Sequence, residues 1–511
     1  MMRGFYIGLT LFATLFCSAD AAQFAPVFTN NAVLQRDEPV SIWGTGREGE
    51  QVTVSIVEHS ASTVVENGRW RVQLPALPAV SSTTLRLAGD TVVELTNVAV
   101  GDVWLLTGQS NMEWRLNQCS PHSDELLASA NNAMIRQIKI PLRAYAGDPL
   151  PSFEWKTFDK TEAPYFSAVG YHFAEAVQQH LGVVIGLVNC SFGGTPIQAW
   201  MSRNAISAAG GDRLLTEDDR KVAEFPDAAT YDLAWKAYDA ARRQWDERKK
   251  SGTPERELGP KPVEPYGFRS KSRPGGLRDS MLAVVTPYTA RGVLWYQGEN
   301  NAGQSDYGRM LEKFIGEIRR EWAEPRLPFF IAQISSPTTN FPDEQDAYAV
   351  IREAQRRVAV EDPNSGFVVT LDYGEKGNVH PIRKRPVGER FAQLALARVY
   401  GLKNAAAQSP SAARAILQDG EVVVEFRDMP GRLEIRDSSL PTLEVAGSGG
   451  PWMAASGRIS QDGQKLIVTP PVGGVSPSGI RYAWRNFCPL SLYTDGGLPI
   501  SPWALAVHSN P

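Results

Sequence analysis

Asp102-Val103-Trp104-Leu105-Leu106-Thr107-Gly108-Gln109-Ser110-Asn111-Met112-Glu113-Trp114 reads as a short apolar strand running through a glycine turn into a helix, with a serine at the turn. A serine so placed has its hydroxyl lifted off the carboxyl edge of a sheet. Its own backbone N–H lies near the positive end of the following helix, which suits a nucleophile beside an anion site. The spelling is not that of the Gly-x-Ser-x-Gly elbow. By itself a serine at a strand end is more often a capping or turn residue, so the rest of the chain decides its meaning.

From Gly101 to about Gly401 strands alternate with amphipathic helices. Val183–Asn189, Gly292–Tyr296, Pro328–Ile334 and Gly366–Leu371 are apolar runs, with helical patterns at Val169–Leu181, Tyr307–Trp322, Ala347–Val360 and Val387–Tyr400. Such alternation predicts an α/β fold, a parallel sheet covered on both faces. On either side the pattern is β. Short strands are predicted at Pro39–Gly44, Gln51–Val57, Trp70–Leu74 and Thr84–Leu87, and again at Glu421–Phe426 and Lys465–Thr469. The expected organisation is a signal peptide over 1–21, an N-terminal β-domain over 22–100, the α/β domain over 101–404 and a C-terminal β-rich domain over 405–511. Asp227–Lys250, a charged helical pattern, leads into a Pro- and Gly-rich stretch, so 225–276 reads as an exposed insertion.

The leader carries Arg3, an apolar core from Phe5 to Phe16 and small residues before a cleavage expected after Ala21. It predicts export to the periplasm or the medium, and no later run is long enough to span a membrane. A net charge of −4 argues against a nucleic-acid partner. Past the leader Cys119, Cys190 and Cys488 remain, a set too sparse for a disulfide framework or a zinc site. Gly44-Thr45-Gly46-Arg47-Glu48-Gly49 matches the dinucleotide fingerprint, but a strand follows it where the pyrophosphate needs a helix N-terminus. It reads as a hairpin turn, and no cofactor is expected.

In an open α/β sheet ligands sit beyond the carboxyl ends of the strands. After the first strand stands Ser110, and after the second Ser191-Phe192-Gly193-Gly194-Thr195. Gln297-Gly298-Glu299-Asn300 follows the third, and Asp372 and then His380 follow the last. Together they are the parts of an ester hydrolysis: a hydroxyl, a base, backbone N–H groups and a side-chain amide for an oxyanion. His59, His122, His172, His180 and His508 lie in β, irregular, helical or terminal stretches, which leaves His380 as the candidate base.

The blocks Val103–Trp114, Asn189–Trp200, Gly292–Asn301 and Val379-His380-Pro381 with Val387-Gly388 resemble, in order, those of the sialate O-acetylesterase family, a branch of the SGNH-type hydrolases. Arg481–Asn486, Gly497-Leu498-Pro499 and Ala32–Arg36 extend the likeness over nearly the whole mature chain. The resemblance implies a flavodoxin-like SGNH hydrolase domain and a serine esterase that removes acetyl groups from sugar hydroxyls, typically of O-acetylated sialic acid, without metal or organic cofactor. Ser110 would be the nucleophile and His380 the base. The oxyanion would be held by the N–H groups of Ser110 and of Gly193 or Gly194, and by the Gln297 amide. Such hydrolases commonly place an aspartate three residues before the histidine, where this chain has Gly377. The third triad member is therefore open between Glu299, Asp372 and a backbone carbonyl; related acetylesterases favour Glu299, with Asp372 bonding the loop. Acetylated xylan is the competing substrate, and a non-catalytic carbohydrate-binding protein the competing class.

Overall fold

The computed structural model describes residues 21–509 except 339–340, 343–344, 404–407, 438 and 472–475. The leader expected over 1–21 lies, but for its last residue, outside the described residues.

The strand that ends at Gly108 is far longer than its apolar run. β1 (Val92–Gly108) alternates between exposed and half-buried over its first six residues and is buried over its last eleven. The first half pairs antiparallel with the strand Val80–Ala88 of the N-terminal β-layers, and its middle pairs parallel with Val33–Gln35. The second half forms the centre of the α/β sheet, where both faces are covered and alternation gives way to a continuous apolar run. The boundary expected at 100/101 thus falls inside one strand.

The sheet continues with β2 (Asn131–Lys139), β3 (Trp155–Asp159), β4 (Ile185–Ser191), β5 (Gly292–Tyr296), β6 (Phe329–Ala332) and β7 (Ser365–Val368), in the order β3-β2-β4-β1-β5-β6-β7. All pair parallel except β3, which closes the edge antiparallel to β2. Taken alone, the five strands β4-β1-β5-β6-β7 have the 2-1-3-4-5 order of a flavodoxin-like sheet, whose switch point lies between β1 and β5. Successive residues of β1 serve opposite faces: Trp104 and Leu106 pack with Phe173 and Phe330 in one core, and Val103 and Leu105 with Val293 and Phe329 in the other. The covering helices are α2 (Ala168–Leu181), α3 (Tyr307–Glu321), α4 (Ala347–Glu361) and α5 (Arg385–Arg398), where the 3.6-residue pattern placed them.

The charged insertion contains a helix over Ala228–Lys250, started by Asp227, whose carboxylate accepts the Thr230 N–H at 2.7 Å. Beyond α5 the described residues form an eight-stranded and a two-stranded sheet. This C-terminal region docks on α4: the buried Arg352 donates to the carbonyls of Ser335, Arg485 and Asn486, and Asn486 Oδ1 accepts the Tyr348 N–H. The motif Arg481–Asn486 is therefore a docking element. Among the described residues no helix is long and apolar enough to cross a membrane.

Candidate active site

The site sits at the switch point. Gly108 has a φ of +124°, and a Cβ there would stand 2.3 Å from the Tyr296 carbonyl oxygen, so only glycine lets β1 and β5 remain paired to their ends. The next peptide closes the pair, Gln109 N–H donating to Tyr296 O at 2.9 Å. Ser110 then opens the one-turn helix α1 (Ser110–Glu113).

Two contacts bring the His380 loop to Ser110. The amide of Asn111 donates to the Val379 carbonyl at 2.9 Å, and the Trp114 ring stacks on the His380 imidazole, with centroids 4.3 Å apart and planes at 19°. Serine and histidine, 270 positions apart in the chain, are thus held between neighbours that touch. No hydrogen bond among the described residues joins the two side chains directly. Burial first, and the nearby Lys384 charge second, hold the His380 imidazolium below its ordinary value of 6.5, so the ring is neutral and ready to accept a proton near neutrality.

Glu375 and Asn378 fix the loop itself. Glu375 accepts from the Asn378 side chain at 2.7 Å and from the Ile382 N–H at 3.0 Å, while Asn378 Oδ1 accepts the His380 N–H at 3.0 Å. Gly377, at the usual aspartate position, takes a φ of +72° in this turn.

Three of the expected residues have other partners in this structure. Glu299 does come to the site, but it is bonded to Asn111 and not to the His380 ring: its Oε1 accepts from Asn111 Nδ2 at 2.5 Å, and its buried Oε2 has no hydrogen-bond partner among the described residues. Burial raises this carboxyl, opposed by its own backbone N–H, Asn111 and the Lys384 charge. The amide of Gln297 is also engaged elsewhere. Fully buried, it lies 2.6–3.2 Å from Asn301 Oδ1, Thr195 O and Gln109 Oε1. Finally, the Gly193 N–H donates to Glu113 Oε2 at 2.7 Å. Of the expected oxyanion donors, the backbone N–H groups of Ser110 and Gly194 are the two without an acceptor among the described hydrogen bonds. Asp372 is held by Arg390 of α5 through two bonds of 2.6 and 2.7 Å, a structural use, but among the described hydrogen bonds it does not bond the loop that carries His380, as was expected of it.

The Gln297 geometry carries its own test. Removing its amide takes the donor from the buried Thr195 carbonyl, at about 1–3 kcal/mol, while Asn301 Oδ1 keeps the Ile197 N–H and Gln109 Oε1 the N–H groups of Gly298 and Asn300. Gln297→Ala should therefore lower the melting temperature while kcat per folded molecule stays within about tenfold. A kcat loss of about 10²–10³ with an unchanged melting temperature would restore the oxyanion role.

Sequence reasoning passed over Lys384 and Asn111. Lys384 is 2% exposed, and its ammonium donates to Asn111 Oδ1. Asn111 is thereby the junction of a buried chain that ties Lys384, Glu299 and the Val379 carbonyl together directly beneath Ser110. Burial pushes the lysine down to about 8. Asn111 follows the serine and Lys384 is four residues past the histidine, so proximity to the motifs was the available signal. Cys119 and Cys190 are buried thiols pushed up to about 11 and 12 by desolvation, unfit as nucleophiles.

Beside α1 opens a cavity of about 380 Å³ lined by Glu113, Arg115, Lys139, Phe153, Lys156 and Tyr165, among others. Lys156 pairs with Glu154 and Glu162, and Lys139 donates to the Ser191 carbonyl. The exposed Arg115 makes no ion pair among the described residues.

The family model for carbohydrate esterases described as sialic acid-specific acetylesterases matches residues 100–214 and 277–397, the strands and loops that build this site. Over those residues the chain is similar to this family. It is a carboxylic ester hydrolase. The chain is 27% identical to the sialate O-acetylesterase of Rattus norvegicus over 95% of its length and 94% of the relative's, and 25% identical to that of Homo sapiens over 98% and 96%. A solved carbohydrate acetylesterase from Xanthomonas citri is 28% identical and superposes with a TM-score of 0.77, covering 95% of this chain and 99% of that one.

Proposed function

We propose that this esterase removes O-acetyl groups from sugars, with O-acetylated sialic acid as its substrate class, by a Ser110–His380 mechanism. The observation that carries the reading is the convergence, at the switch point of the sheet, of Ser110, a neutral His380 held by Trp114 and Asn111, and two unoccupied backbone N–H groups. Ser110 Oγ attacks the acetyl carbonyl while His380 takes its proton, and the tetrahedral oxyanion rests against the N–H groups of Ser110 and Gly194. His380 then passes the proton to the departing sugar oxygen. Water, activated by the same histidine, releases acetate from the acyl-enzyme.

In this reading the imidazole is oriented by its stack and its loop, and Glu299 acts one residue removed, through Asn111. The sialate assignment is supported by the relatives and by the cavity beside α1. Its unpaired Arg115 offers a guanidinium fork to a sugar carboxylate, which acetylated xylan backbone residues lack. Acetate release from O-acetylated sialic acid and from acetylated xylan, offered in parallel at equal acetyl concentration, tests it. Faster turnover of the xylan would replace the substrate and leave the esterase chemistry standing. Release from neither, nor from 4-nitrophenyl acetate, would overturn both.

A further inference from the structure

The family pattern skips residues 215–276, yet this segment reaches back to the loop that follows β4. Lys271 Nζ donates to the Gly193 carbonyl oxygen at 3.0 Å and stands 5.5 Å from the centroid of the Phe192 ring. The surrounding chain is anchored on both sides. Arg269 pairs with Asp148 at 2.9 Å and with Asp232 at 3.0 Å, and Gly275 N–H donates to Gln198 O at 3.0 Å. Lys271 makes no ion pair among the described residues, so its charge acts on this carbonyl and on the Phe192 ring.

Gly193 is gripped from two directions. Glu113, one turn after Ser110, accepts its N–H, and Lys271 binds its C=O. A peptide unit is planar and trans, so the Gly193 C=O and the Gly194 N–H point in opposite directions. A cation on the oxygen fixes the rotation of that unit, turns the N–H to the face away from the lysine, and polarises it as a donor. Gly193 packs on the nucleophile itself: a Cβ there would stand 3.3 Å from Ser110 Cβ. Gly194, with a φ of +68° that favours glycine, has the Lys271 ammonium 3.1 Å from where its own Cβ would lie, so the lysine stands directly against this turn.

We propose that Lys271 is a positioning residue that sets the oxyanion hole, holding and polarising the Gly193–Gly194 peptide so that the Gly194 N–H receives the developing charge. The inserted segment is then part of the active site and not a surface appendage. The inference rests on Ser110 being the nucleophile.

The full-length chain carrying Lys271→Met should lose roughly 10- to 100-fold in kcat for acetate release, less than deletion of a whole oxyanion donor, while KM moves by less than about threefold. Affinity for a boronic acid that forms a tetrahedral anion on Ser110 should fall in parallel, because that adduct presents the same charge. Lys271→Arg, which keeps a cationic donor, should recover most of the loss. A Lys271→Met protein with kcat within about twofold of the parent overturns the proposal. So does a loss confined to KM with boronate affinity intact, which would make Lys271 a sugar contact, and so do Met and Arg variants equally inactive and equally lowered in melting temperature. If Ser110→Ala retains turnover, the reading of the nucleophile fails, and this inference falls with it.

Discussion

Ser110→Ala is expected to reduce acetyl-ester hydrolysis by about 10⁴-fold or more while leaving the melting temperature close to that of the parent. The serine is half-buried at the first position of a one-turn helix, and among the described hydrogen bonds its hydroxyl serves no structural partner. The fold at this point is held by the Gly108 approach to Tyr296 and by Asn111, neither of which the change touches. A methyl group cannot form the acyl-enzyme, so in the proposed mechanism what survives is the stabilisation that the Gly194 N–H gives to direct attack by water. His380→Gln should fall to a similar floor, and the double variant should be no worse than either, because the two side chains act as one unit. Near-normal acetate release by folded Ser110→Ala would remove the serine from the mechanism.

The second large effect concerns pH. His380 is held below 6.5 and Lys384 is pushed down to about 8. Between those values the base is neutral and the lysine still charged on Asn111. kcat/KM should therefore follow a bell, with an acid limb below pH 6.5 and an alkaline limb near 8. Above 8 the ammonium that fixes Asn111 Oδ1 is lost, and with it the setting of the Asn111 amide toward Val379 and Glu299.

Lys384→Met should abolish the alkaline limb. It should also move the acid limb upward, since removing a nearby positive charge favours the imidazolium. Turnover at neutral pH should drop by roughly 10²-fold, the cost of a misplaced catalytic group. Stability has its own sign. The unfolded chain keeps the lysine proton up to about its ordinary 10.5, whereas the folded protein releases it near 8, so the unfolded state binds more protons across that window. The Lys384 contribution to stability thus rises from pH 8 to 10.5 and is absent below 8. Melting temperatures measured over this range should show less of a rise in Lys384→Met. An alkaline limb that persists near 8 in this variant would assign it to another group.

How much was legible beforehand differs from residue to residue. Helices α2 to α5 lie where their periodicity put them, because each buries one stripe against a sheet and writes that stripe into its own sequence. Ser110 and His380 stood out because each follows a strand at the sheet's carboxyl edge. The Gly44–Gly49 stretch is followed by a strand, Gln51–Ile56, and not by a helix, but the hairpin expected there is corrected: Val40–Thr45 pairs with Arg69–Leu74 and Gln51–Ile56 with His59–Val64, so the turn crosses between two sheets. The continuity of β1 was hidden, since its exposed half alternates and its buried half does not, and the two patterns read as separate elements.

The sequence by itself determined the α/β alternation, the strand-end location of Ser110 and His380, and the family whose blocks it resembles, because these depend on local periodicity and short motifs. The tertiary structure alone decided which polar group bonds which. Gln297 and Glu299 have the right chemistry for the roles expected of them, but Asn301, Thr195 and Gln109 hold the amide, and Asn111 holds the carboxylate. A hydrogen bond is set by distances of about 3 Å between groups that can be hundreds of residues apart. No sequence pattern records whether a donor points into a cleft or into the protein, and that direction separates a catalytic amide from a buried support.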